Sequence, residues 1–213
     1  MGYTVSDDDK ARIFQLLVQH QVYLIEDDVY EELYYGDKKP ISMKYYDHAH
    51  LVLHCSSFSK TLGAGFRIGW IHAAQFSERI QHLQLMSTLS VNPLLQNALV
   101  EYVSHRYYEK HLKVLRLQLA ELKQQYFEYL QQHLPKSCHV YMHQSGYFLW
   151  IELPQHINNM QLYEQLLSQQ ISIAPSDLFN TNNNYSNAIR INCSFEMNQS
   201  IKNALQQLIQ ALQ

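Results

Sequence analysis

Two short apolar runs each break off into residues that carry chemistry, and this ordering constrains the chain more than any other feature. Leu51-Val-Leu53 leads into Ser56-Ser57-Phe58-Ser59-Lys60, a glycine-bearing turn at Gly63-Ala64-Gly65, and then Arg67-Ile68-Gly69-Trp70. Val22-Tyr-Leu-Ile25 ends in Glu26-Asp27-Asp28-Val29-Tyr30. Continuous apolar runs of this kind read as buried sheet strands, and Arg67 to His72 reads as a third. Taken singly, each polar residue has a plain structural reading. The acids suit a solvated turn, Ser57 and Ser59 suit backbone capping at a strand end, Lys60 suits the surface, and Arg67 and Arg190 suit pairing with acids. The ordered set is what points further.

An amine, a carboxylate, a phenol, hydroxyls and a guanidinium at strand ends match the needs of pyridoxal 5'-phosphate (PLP). Its aldehyde requires a lysine amine to form a Schiff base, and its ring serves as an electron sink. A carboxylate holds the proton on the pyridine nitrogen, each pKa unit so gained being worth about 1.4 kcal/mol. Asp27 suits that task, and Tyr30, three residues on, suits the ring oxygen. Phosphate calls for hydroxyls, backbone N–H groups and a guanidinium, and Ser57, Ser59 and Arg67 surround the lysine.

Asp27-x-x-Tyr30, Ser57-Phe-Ser-Lys60 and Arg67 resemble the class I/II aminotransferases of fold type I. Further matches are Gln96-Asn-Ala-Leu99, Gly146-Tyr-Phe-Leu-Trp150 with Glu152-Leu-Pro154, Ile173-Ala-Pro-Ser176-Asp-Leu-Phe179 and Ala188-Ile-Arg190-Ile-Asn-Cys193. The pattern is most similar to the aminotransferase-like domain of MocR-type (GntR family) transcriptional regulators. The resemblance implies that Lys60 carries the cofactor and that Arg190 grips the α-carboxylate of an amino acid. One departure is Ser176, where the family usually has glycine. Met1-Gly-Tyr-Thr-Val-Ser6 resembles the tail of the family's Asn-Pro-x-Gly turn. By that comparison the chain corresponds to the second half of the domain. The glycine-rich phosphate cup, the ring-stacking aromatic, the asparagine beside the ring oxygen and the DNA-binding winged helix would lie upstream.

Composition excludes several other classes. The 213 residues, 46% hydrophobic, suffice for one large or two small domains. With a net charge of −3 and no Lys/Arg run, the chain itself is a poor nucleic-acid binder. The three cysteines (Cys55, Cys138, Cys193) lack metal or disulfide spacing, which suits a reducing cytoplasm. No apolar run reaches the roughly 20 residues of a membrane span, and the polar start at Ser6-Asp-Asp-Asp-Lys10 leads us to expect no signal peptide. His48-x-His50 lies in a polar loop and does not suggest a metal site.

The periodicity predicts a first helix capped by Ser6, with Asp9 as its capping-box partner and Ile13, Leu16 and Leu17 facing inward. Helices follow near 74–86 and 93–104, and a long one over 106–133 carries Leu112, Leu115, Leu119 and Leu122 at helical spacing. Strands near 139–142, 147–152, 171–174 and 188–193 and helices near 159–169 and 198–212 complete a smaller α+β part. Gly63 and Gly65 read as turn residues, and Trp70 and Trp150 as core.

The resulting expectation is an α/β chain of the PLP-dependent transferase fold type I. Residues 1–105 would form the C-terminal portion of the PLP-binding large domain, with a mainly parallel sheet, and residues 106–213 a small α+β domain. The implied chemistry is transamination of an amino acid with a keto acid. Lys60 would release the cofactor to the substrate and then move the α-proton as general base. Two further expectations stand beside it: a PLP- and effector-sensing domain of a MocR-type regulator without sustained turnover, and a non-catalytic remnant that self-associates. A partial sheet with an open edge favours pairing, so the chain is expected to form homo-oligomers or to join a missing N-terminal half, and to hold PLP weakly or not at all on its own.

Overall fold

A computed structural model describes residues 2–179 and 187–213. Met1, the first residue of the N-terminal Asn-Pro-x-Gly-like segment, lies outside them. The chain divides into two compact units, Thr4–Leu115 and Arg116–Gln213, the second also including Gly2 and Tyr3. The division falls inside one long helix.

In the first unit, helix α1 (Asp7–His20) precedes strand β1 (Leu24–Asp27). A 3-10 turn at Met43–Tyr46 leads into β2 (Val52–Ser57), and β3 (Gly69–His72) follows. Helices α2 (Ser77–Thr88) and α3 (Pro93–Ser104) and the start of α4 (Tyr107–His133) complete it. The sheet order is β1-β2-β3. β1 runs parallel to β2 with Asp27 opposite Cys55, whereas β3 is antiparallel to β2 with Gly69 opposite Ser57.

Ser6 caps α1 by accepting from the Asp9 N–H at 3.2 Å, but its hydroxyl donates to the Asp9 carboxylate at 2.7 Å, so the reciprocal half of a capping box is replaced. The buried stripe of α1 is Lys10 and Phe14, with Leu17 and Val18 beside them. Ile13 and the 56% exposed Leu16, expected inward, face out. Phe14 packs with Met43 and Val52 and sets the face instead, while Lys10 is held by the Ile41 carbonyl. Only one face of the sheet is covered this way. Leu24 and Val52 turn toward α1, while Ile25 (70%) and Ile71 (42%) on the opposite face are exposed. Trp70, expected in the core, is 43% exposed and meets His54 edge-on.

The start of β2 is fixed by Asp47. Its buried carboxylate accepts from the Leu51 and Val52 N–H groups at 2.8 and 3.1 Å and pairs with Lys44 at 2.6 Å. Burial pushes this carboxyl up, but Lys44 and the two backbone donors outweigh it and hold it below the usual range.

In the second unit, β4 (His139–Tyr141), β5 (Phe148–Glu152), β6 (Ala174–Pro175) and β7 (Ala188–Asn192) form an antiparallel sheet of order β4-β5-β7-β6. Tyr126 and Leu130 of α4, Leu162 and Leu166 of α5 (Asn159–Ser168), and Leu205 and Leu208 of α6 (Gln199–Ala211) pack with Leu149, Ile151, Ile189 and Ile191 into one core. Trp150 is buried here. Ser176, at the glycine position of the resembled pattern, is buried and satisfied: its hydroxyl accepts from Asn159 Nδ2 at 2.8 Å and from the Ala188 N–H at 3.3 Å.

Gly69 lets β3 approach β2 beside Ser57. A Cβ there would stand 2.8 Å from the Ser56 carbonyl oxygen and 3.2 Å from Ser57 Cβ. Gly69→Ala should therefore destabilise the chain by about 1–3 kcal/mol, as overpacking does, seen as a lower urea midpoint at unchanged slope. An unchanged midpoint would show that β3 is not held this closely.

Candidate functional site

β1 and β2 are parallel, so both release the chain at the same edge of the sheet, and β3 starts at that edge. Asp27 closes β1 and Ser57 closes β2. The register places Asp27, Cys55 and Ser57 on one face, with Glu26, His54 and Ser56 on the other.

Three adjacent acids end β1, and their partners separate them. Glu26 is committed to the 3-10 turn: it accepts from Ser42 Oγ at 2.7 Å, the Met43 N–H at 2.8 Å and the Lys44 N–H at 3.3 Å. Asp28 meets His54 Nε2 at 3.2 Å. Burial pushes its carboxyl up, the Glu31 and Glu26 charges add to this, and His54 opposes it. Asp27 is exposed, and its carboxylate takes part in no ion pair or hydrogen bond among the described residues. Of the three, it alone is uncommitted on the Ser57 face. Burial and the same three acids hold the nearby Cys55 thiol above its usual range.

After β2 the chain turns through Ser57–Lys60. The Ser59 N–H donates to Ser57 Oγ at 3.4 Å, and the Phe58 carbonyl accepts from the N–H groups of Thr61, Leu62 and Gly63. Lys60 Nζ stands 5.6 Å from the centre of the Tyr30 ring. The amine makes no hydrogen bond or ion pair among the described residues. Arg67 follows a 3-10 turn over Ala64–Phe66 and has a φ of 51° in the left-handed region. A non-glycine residue held there costs roughly 1–3 kcal/mol and tends to mark functional sites. Its exposed guanidinium is likewise unpaired among the described residues. Lys60 and Tyr30 are thus brought together, Asp27 and Ser57 share a face, and Arg67 lies two residues before the Gly69–Ser57 pair. Amine, carboxylate and guanidinium all remain available to a ligand, and this donor set fits an anionic, carbonyl-bearing cofactor such as PLP.

The sequence did not reveal what fastens the Lys60 turn. Tyr108 Oη donates to Thr61 Oγ1 at 2.9 Å, and His111 Nε2 lies 2.6 Å from the Thr61 carbonyl. The Phe58 and Tyr108 rings meet edge-on at 5.6 Å. Phe58 and Thr61 flank the lysine motif, but their partners stand 47 and 50 residues away from Thr61, beyond any local pattern. A hollow of about 490 Å³ lined by Ala98, Glu101, Tyr102, His105 and Tyr107 shares no residue with this cluster.

Arg190 belongs to the second unit, on β7 between Trp150 of β5 and Ala174 of β6. Its guanidinium carbon lies 4.3 Å from the ring centres of both Phe148 and Phe179. Nε is buried and makes no hydrogen bond among the described residues. Leaving a buried donor unmet is costly, and the pair of aromatic faces holds a cation in place for an incoming acceptor.

The class I and II aminotransferase family matches residues 1–208. This chain belongs to that family. Among curated relatives it is 46% identical over 213 residues to the Uncharacterized HTH-type transcriptional regulator YdcR of Escherichia coli (strain K12), covering 100% of this chain and 46% of that protein. It is 30% identical over 206 residues to the HTH-type transcriptional regulator NorG of Staphylococcus aureus (strain USA300), covering 96% of this chain and 46% of NorG. Both relatives are named as HTH-type transcriptional regulators. The chain spans about half the length of the curated relatives it matches. Solved structures share its fold. The multiple substrate aminotransferase of Thermococcus profundus superposes with a TM-score of 0.89 at 22% identity, over 99% of this chain and 53% of that one. The kynurenine aminotransferase of Pyrococcus horikoshii gives 0.90 at 24%, over 99% and 52%. The fold is therefore that of the PLP-dependent fold type I aminotransferases.

Tyr108→Phe deletes the hydroxyl that ties α4 to the Lys60 turn. The loss should be about 0.5–1.5 kcal/mol, with amide exchange accelerated most at residues 59–63. Equal acceleration throughout the chain would mean that the bond has no local role.

Proposed function

We propose that this chain is the PLP-holding portion of an aminotransferase-like domain acting on an amino acid. The uncommitted Lys60 amine beside Tyr30, at the edge where Asp27 and Ser57 end their strands, carries the proposal. In it, residues 1–105 contribute to the cofactor-binding large domain and residues 106–213 form the small domain. When bound, PLP supplies an electron sink for the amino acid's α-carbon. Lys60 would hold the cofactor, and its neutral amine would move the amino acid's α-proton. Asp27 accepts the pyridinium N–H and stabilises that charge. Tyr30 donates to the ring oxygen. Ser57, Ser59 and Arg67 bind the phosphate, the guanidinium presenting two parallel N–H groups. Arg190, fixed between two aromatic rings with Nε unmet, binds the α-carboxylate.

The regulator names of its relatives support a second reading of the same site, in which PLP and an amino-acid-like effector are sensed without sustained turnover. Nucleic-acid contact would then belong to another part of the regulator, since this chain carries a net charge of −3. The exposed Ile25 and Ile71 on the open sheet face support association with a second copy or with the other half of the domain. No helix among the described residues is long and apolar enough to cross a membrane, and we place the protein in the cytoplasm.

Treatment with PLP followed by borohydride, and mapping of the modified peptide, tests the site. Label on Lys60 that vanishes in Lys60→Ala is expected. Label on other lysines, or equal label in the variant, would remove Lys60 from the site. Keto-acid-dependent turnover of a bound amino acid separates the enzyme from the sensor.

A further inference from the structure

Lys123 of α4 is 0% exposed and takes no part in the chemistry above. A buried ammonium is tolerated only when its three N–H groups are met. Here Nζ donates to the His143 carbonyl at 2.7 Å, the Ser145 carbonyl at 2.8 Å and the Gly146 carbonyl at 3.2 Å. All three acceptors belong to the turn between β4 and β5. Gly146 holds a φ of 59° and leads directly into Tyr147 and Phe148. The Tyr147 carbonyl accepts from the Cys193 N–H at 2.8 Å, at the end of β7. The Phe148 ring is one of the two faces on the Arg190 guanidinium. Only Tyr147 separates the last carbonyl on Lys123 from the residue that seats Arg190.

We propose that Lys123 is a positioning residue for carboxylate binding by Arg190: by fastening the 143–146 turn to α4 it fixes the Phe148 ring against the guanidinium. The inference rests on the reading of Arg190 given above. An apolar residue at 123 would fill the core equally well but could not hold three carbonyls in one arrangement. The neighbouring titratable groups are Cys193, whose thiol burial pushes up to about 12 and so keeps neutral, and His143, held below its usual range by burial and then by Lys123 itself.

Burial also pulls Lys123 down from 10.5 to about 8. Above that value the amine has two hydrogens for three carbonyls, and the turn loosens. Global stability moves the other way. The unfolded chain keeps the proton up to 10.5, so between about 8 and 10.5 this group makes folding more favourable as pH rises. Opposite trends in local geometry and in stability distinguish positioning from a purely structural role.

The test uses the full chain without ligand and follows the carbon-detected Nε–Cζ signal of Arg190, displaced by the two ring currents. Lys123→Met should lose most of that displacement while backbone signals of β7 stay in place. Lys123→Arg, which keeps charge and donors, should retain it. A folded Lys123→Met with an unmoved signal, or equal loss in both variants, overturns the proposal. If Lys123→Met does not fold, the wild-type signal decides: it should titrate with a midpoint near pH 8, the folded value of Lys123, and a flat profile overturns the proposal. The reading of Arg190 is tested separately. Arg190→Lys should weaken binding of L-alanine to the PLP-loaded chain by roughly tenfold or more. Unchanged L-alanine binding would sink that reading and leave the Lys123 signal interpretable.

Discussion

The parallel pairing of β1 and β2 is the constraint on which the first unit depends. Parallel strands finish at the same edge, so two chemistry-bearing segments 30 residues apart, ending at Asp27 and Ser57, become neighbours without any long-range turn of their own (57 − 27 = 30). The register matters as much as the pairing. A slip of one residue would send Asp27 to the face of His54 and Ser56. Asp47 sets where β2 begins, Glu26 ties β1 to the turn that carries Lys44, and Asp28 meets His54 across the pair. The acids that do not face the candidate cofactor are those that hold its strands in register.

This division of labour explains why three successive acids are present. A carboxylate meant to interact with a ligand must be spared internal partners, while its neighbours are committed to the fold. Glu26 and Asp28 are so committed, and among the described residues the Asp27 carboxylate is not. The same contrast separates the two ends of the Lys60 turn. Thr61 is held by two side chains of α4, whereas the Lys60 amine one residue earlier lies 5.6 Å from the Tyr30 ring centre and makes no hydrogen bond or ion pair among the described residues.

Much of this was legible in the residues. Each apolar run became a strand, although β3, read as buried, is exposed along its whole length and β1 at alternate residues because the opposite sheet face is uncovered; α3 occupies the predicted 93–104, and the family follows from the motifs around Asp27, Lys60 and Arg67. What was not legible depends on contacts far along the chain. Ile13 and Leu16 have helical spacing, but the face of α1 is chosen by where Phe14 meets Met43 and Val52. Trp70 reads as core because it is large and apolar, yet it lies on a short strand at one edge of the sheet. Lys123 reads as one more polar position on a long helix, and only the turn 20 to 23 residues later gives it a reason to be buried. The Phe148 and Phe179 rings around Arg190 come from two different segments that local periodicity does not connect.

Hydrogen exchange of the chain with and without saturating PLP tests the central claim most directly, because it reports where the cofactor sits and does not require turnover. The account predicts slower exchange at residues 27–30 and 57–68, with α6 unchanged. No slowing in those two segments, or slowing confined to other parts of the chain, would contradict it.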